Sequence, residues 1–202
     1  MNYELNCLAF LACCAYNYFI MEIVIYPAPV LRLKAKPVEE IDDTVSQRAE
    51  EMLELMYEAK GVGLAAPQIG WSKRLIVKDV AGEKIDDKVF INPVIIEEKG
   101  EVIEEEGCLS FPGVLGKVMR AEQVVVIAYN LKGERLEFEA VGLDARVWQH
   151  EIDHIDGRLF IDKMSPASRL AVSGRLKELE REYQKRQSSY QISAPSKLKA
   201  DV

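Results

Sequence analysis

The chain has 202 residues, 49% of them hydrophobic and 29% charged, with a formal net charge of -7. That balance describes a globular domain long enough for a real core, and the acidic net charge argues against a general nucleic-acid binder. Three of the four cysteines crowd into the first fourteen residues, which excludes a disulfide framework and suits a reducing compartment.

Residues 1–20 are expected to be a non-essential N-terminal extension ahead of a domain that starts at Met21. No lysine or arginine precedes Arg32, so the basic n-region of a secretory signal is lacking. Asn6, Asn17 and Glu22 interrupt the apolar run of ~20 residues that a membrane span requires. A targeting or membrane segment is the competing reading. Residues 23–26 are expected to be extended, and Pro27 and Pro29 block a helix there. Asp42 or Asp43 can cap a helix over residues 44–60, with Val45, Ala49, Met52, Leu53, Met56 and Tyr57 as one apolar stripe and Gly61 at its end.

Residues 61–68, Gly-Val-Gly-Leu-Ala-Ala-Pro-Gln, read as a loop of small residues that lets a backbone approach a ligand closely. Gln68 is its one side chain able to hydrogen-bond such a ligand. Strands are predicted at 74–77, 88–91, 94–98, 124–128 and 135–140, with a hairpin turn at Lys132-Gly133. The acidic run Glu104-Glu105-Glu106 reads as a solvated face. Gly107 and Cys108 follow it, and a lone buried cysteine is usually a small hydrophobe.

The two histidines of the chain stand together in Gln149-His150-Glu151-Ile152-Asp153-His154. Leu143, Val147, Trp148 and Ile152 recur at helical spacing, Asp144 can cap the helix and Gly157 suits its end. Imidazoles four positions apart share one helix face and can bind one metal ion, with the intervening glutamate placed to take a proton from water. On that motif alone, a surface helix with idle histidines is the competing reading. The apolar flanks argue for burial, and buried histidines need partners; Cys108 is the candidate third ligand. Ser165-Pro166 then opens a charged helix to about Gln187, and residues 188–202 read as a flexible polar tail. The expected class is α+β: mostly antiparallel β-sheets packed around a central metal-binding helix, with an N-terminal helix and a long C-terminal helix.

Together, the stretches at 61–68, 106–110 (Glu-Gly-Cys-Leu-Ser) and 149–154 resemble the three signature motifs of the peptide deformylases, in order and rough spacing. The resemblance runs from about Met21 to Gln187 and is closest to the bacterial form. It implies a hydrolase that removes the formyl group from N-formylmethionine on new polypeptides. It implies Cys108, His150 and His154 as metal ligands and Glu151 as the acid/base. Gln68 and the Leu109 N–H would hold the reacting oxygen, and Val62, Gly63, Gly107, Leu143 and Val147 the substrate. The ion is expected to be Fe(II), with Zn, Ni or Co as other ions that the donor set accepts. A cytoplasmic location, N-formylmethionyl nascent peptides as partners and ribosome association are further expectations, with no nucleic-acid specificity and no membrane. The rival readings are an H-E-x-x-H zinc endopeptidase and an inactive formyl-peptide-binding module.

Overall fold

A computed structural model describes residues 21–80 and 88–193, with side chains described to Ser189. The expected extension at 1–20 and the last residues of the expected tail lie outside the described residues. The class is α+β, as expected.

The first helix, α1, spans Asp43–Glu58; the Val45 N–H donates to the Asp42 side chain at 2.8 Å, satisfying one of the free donors of the first turn. Val45, Ala49, Met52 and Met56 are buried as one stripe, but Tyr57 leaves it: it is half-exposed and its hydroxyl donates to Asp79. Lys60, not Gly61, takes the left-handed conformation that closes the helix, at φ +56°. Gly61 instead leaves room for Leu109, whose Cδ1 would lie 2.8 Å from a Cβ there.

Among the described residues seven strands follow: β1 (Gly63–Ala65), β2 (Leu75–Lys78), β3 (Val89–Lys99), β4 (Val102–Gly107), β5 (Leu115–Arg120), β6 (Gln123–Tyr129) and β7 (Arg135–Val141). Five form an antiparallel sheet in the order β1-β2-β3-β6-β7, and β4 pairs with β5 as a separate hairpin. The predicted segments at 88–91 and 94–98 are one strand, β3, with a register shift between Ile91 and Val94. Pro93 cannot donate to the ladder and sits at that irregularity. Asn92, at φ +50°, is held there by both hydrogen bonds of its amide to the Val38 backbone, each 2.9 Å.

Helix α2 spans Gly142–Ile155. Its Trp148, Ile152 and Ile155 pack with Ile76, Phe90, Val126 and Ala140 on one sheet face. On the other face, α1 packs with Leu64, Leu75, Val77, Val89 and Ile91. Burial on both faces explains why β2 reads as a continuous apolar run. Asp144 is not the cap of α2: it lies in the first turn, where Lys78 Nζ meets it at 2.6 Å. Gly157 ends the helix as expected, at φ +73°, and a Cβ there would lie 2.7 Å from the Arg32 carbonyl oxygen. Pro29, expected to block a helix, instead opens a short 3-10 helix, Pro29–Arg32, where its missing N–H costs nothing. The last helix, α3 (Pro166–Ser193), runs six residues past the expected Gln187. Its Leu176 and Leu179 join Phe111, Val118, Leu159 and Phe160 in a third core. No helix among the described residues is long and apolar enough to cross a membrane.

Candidate active site

The expected 61–68 loop is an ordered element: β1 followed by the short 3-10 helix Ala66–Ile69. The Ala65 N–H donates to Gln68 Oε1 at 2.8 Å, which fixes the amide orientation. The Gln68 Nε2 then faces Ser110 Oγ at 3.3 Å and Cys108 Sγ at 3.5 Å. Gly63 packs its backbone on α2: a Cβ there would lie 2.5 Å from Glu151 Oε1. At Gly107 a Cβ would lie 2.8 Å from Leu115 Cδ2. A side chain at either position would have to displace that neighbour, so both glycines keep the approach close.

Between these walls lies a cavity of about 470 Å³. Val62, Gly63 and Gln68 form one side, Gly107, Cys108, Leu109 and Phe111 the other, and Val147, His150 and Glu151 the helix side. All the expected site residues line it except His154, which lies behind and is almost fully buried. Of the three apolar residues expected to meet the substrate, Val62 and Leu143 are 42% and 57% exposed at the mouth, while Val147 is buried. Leu143 accordingly drops out of the buried helix stripe.

Cys108, His150 and His154 offer ligand atoms that all lie within 4.8 Å of one another, with Cys108 Sγ 3.2 Å from His154 Nε2. His150 Nδ1 meets Glu106 Oε2 at 3.1 Å, leaving Nε2 to turn towards the thiol. Burial holds His154 well below the ordinary histidine value, as a neutral donor. Burial also pushes His150 down, but Cys108 and Glu106 outweigh it and raise His150 to about 10. A metal cation bound there would compete with protons for the same donor atoms. His154 Nδ1 and Glu151 Oε2 are buried with no hydrogen-bond partner among the described residues. One thiol sulfur, two imidazoles and an orphaned carboxylate oxygen fit a metal centre with an open position for water. Burial raises Glu151 to about 7, within reach of proton transfer near neutral pH.

A supporting layer was not legible in sequence. Glu106, read as part of a solvated face, is buried. Arg120 Nε and Nη2 donate to its two oxygens at 2.8 and 3.0 Å, and Arg120 Nη1 bonds Asp153 of the histidine motif. Burial pushes the Glu106 carboxyl up, but His150 and Arg120 outweigh it and hold it below the usual carboxylate range. A carboxylate on the second nitrogen of a ligating histidine sets its tautomer and orientation. Gln149 is structural: its amide bonds the Ala121 backbone in both directions at 2.9 Å.

Residues 20–170 match the polypeptide deformylase family. The chain is 51% identical over 164 residues to the peptide deformylase of Acidobacterium capsulatum, covering 80% of this chain and 96% of that one. It is 44% identical to that of Chromobacterium violaceum over 163 residues, 81% and 98% of the two chains. Among solved structures, Plasmodium falciparum peptide deformylase superposes with a TM-score of 0.77 at 40% identity, covering 81% of this chain and 97% of that one. The Legionella pneumophila enzyme gives 0.75 at 44%, covering 82% and 98%. With one family matched over most of its length and relatives covered almost end to end, the chain belongs to the polypeptide deformylase family.

Proposed function

We infer that the protein hydrolyses the formyl amide of N-formylmethionyl peptides, releasing formate and a free N-terminus. The observation that carries this reading is a thiol and two imidazoles with ligand atoms within 4.8 Å of one another, at a cavity that Glu151 also lines with a buried Oε2 that has no hydrogen-bond partner among the described residues. Cys108, His150 and His154 would hold a divalent ion, Fe(II) on the family resemblance, with Zn, Ni or Co as chemically acceptable replacements. Such an ion supplies Lewis acidity, making water more acidic and a carbonyl carbon more electrophilic.

Glu151 receives the proton of the attacking water and delivers it to the amine nitrogen as the formyl C–N bond breaks. Gln68 Nε2 and the Leu109 N–H donate to the formyl oxygen as it gains negative charge; losing one such donor typically costs ~3 kcal/mol of barrier. The Gln68 Nε2 is aimed for that purpose because Ala65 holds the other end of the amide. Gly63 and Gly107 line the cavity without side chains and so would let the substrate approach their backbone, and buried Val147 offers apolar surface to an unbranched methionine side chain. Val62 and Leu143, at the mouth, would meet the following residues. Nascent chains as substrate accord with the cytoplasmic location and the ribosome association that form part of the same proposal.

Formate release separates this reading from its rivals. A formyl-Met tripeptide is expected to turn over, acetyl-Met at least tenfold more slowly, and Glu151→Ala to lose activity by 10²-fold or more while keeping its metal. Cleavage of unformylated peptides, or wild-type rates from Glu151→Ala, would overturn it.

A further inference from the structure

Arg146 lines the cavity and yet is 4% exposed. Its guanidinium is engaged by the β4–β5 hairpin. Nε donates to Glu104 Oε2 at 3.0 Å and Nη1 to Glu106 Oε1 at 2.6 Å. Nη1 also donates to the Val118 carbonyl at 3.1 Å and Nη2 to the Val102 carbonyl at 3.2 Å. One α2 side chain thus bonds backbone on both strands of the hairpin and a carboxylate that also contacts His150. Arg120 holds Glu106 within the hairpin, since both residues belong to it, whereas Arg146 reaches Glu106 directly from α2. Arg120 does tie the hairpin to α2 through Asp153, which lies on the turn after His150; Arg146 makes the tie one turn before.

We propose that Arg146 is a positioning residue for the metal centre: its head locks the β4–β5 hairpin to α2 and so holds Glu106 against His150, while its aliphatic stem serves as cavity wall. The inference rests on Cys108, His150 and His154 forming a metal site. Without Arg146, Glu106 keeps its Arg120 contact but can swing about it, and His150 loses a fixed tautomer. Carboxylates in such a position are worth about 10–100-fold in metal affinity. Because Arg146 acts at one further remove, the lower end is expected.

The test is Arg146→Met, which keeps the unbranched stem and removes the guanidinium donors. Apo wild-type and variant are titrated with Co(II) against a chromophoric chelator, with circular dichroism and melting as controls for folding. The expected result is Co(II) binding weakened about tenfold, faster amide hydrogen exchange in the hairpin than in α1, and KM for formyl-Met tripeptide within about twofold at saturating metal. Arg146→Lys, with one point donor in place of a fork, should fall between. Co(II) affinity within twofold of wild type in Arg146→Met overturns the proposal, as does a tenfold rise in KM at unchanged affinity, which would make Arg146 a substrate residue. If Arg146→Met does not fold, the same Co(II) threshold applies to Arg146→Lys. Failure of wild type itself to bind Co(II) would instead refute the metal site on which the inference rests.

Discussion

Gly63 shows how a single residue can matter for chemistry and little for folding. The atom its Cβ would strike is the far end of a flexible side chain, Glu151 Oε1, at 2.5 Å. Gly63→Ala can therefore be accommodated by rotating the carboxylate away, at an overpacking cost of order 1 kcal/mol. The expected outcome is a near-normal melting temperature and metal content with formate release down at least tenfold, measured on one metal-loaded preparation. Unchanged turnover would mean that Glu151 need not stand where it does. Gly157 predicts the opposite pattern. Its Cβ would meet Arg32 backbone, which cannot rotate aside, and its φ is +73°. Gly157→Ala should lower the melting temperature and leave the turnover of the remaining folded protein unchanged.

Elements are held in place by charged connections at their ends. Asp162, in the segment between α2 and α3, pairs with Arg32 of the N-terminal turn and accepts the Leu159 N–H at 3.0 Å. Burial pushes its carboxyl up, but Arg32, Leu159 and Arg169 outweigh this and hold it below the ordinary value of 3.8. A lowered folded-state pKa means that the charged form stabilises the fold above the unfolded value and that this stabilisation is lost as pH falls through the folded value. Asp162→Asn should therefore melt lower than wild type at pH 7, with the gap closing below about pH 4. Melting curves of both proteins from pH 3 to 8 check it; a gap that is constant over the whole range would show that charge is not the cause. At the start of α1, Asp42→Ala removes the cap and should cost ~1 kcal/mol, about 2–4 °C in melting temperature for a domain of this size.

At the scale of the whole molecule, the family match begins at residue 20 and relatives are covered almost end to end by about four-fifths of this chain. On that support we propose that residues 1–20 are dispensable: their deletion should leave the melting temperature within about 2 °C and turnover unchanged, as scanning calorimetry and formate release would show. Local pattern alone located α1, α2 and the start of α3, most strands of the large sheet and the two histidines, Glu151 and Cys108 of the site, because helical periodicity, caps and a His-Glu-x-x-His spacing are short-range signals. The strand in 63–65 escaped it because three residues of small side chains carry no period. The hairpin escaped it because β5 reverses the usual polarity, with Leu115 and Met119 outside and Arg120 inside. That reversal is meaningful only beside Glu106 and Asp153, which are 14 and 33 positions away in the chain. Whether a carboxylate in an acidic run is solvated or orients a histidine depends on desolvation and on partners brought by other elements. The sequence by itself determined the chemistry available and the segments that carry it. Only tertiary structure decided which charges were buried, and with them the support of the site, because burial and charge pairing are properties of neighbours in space.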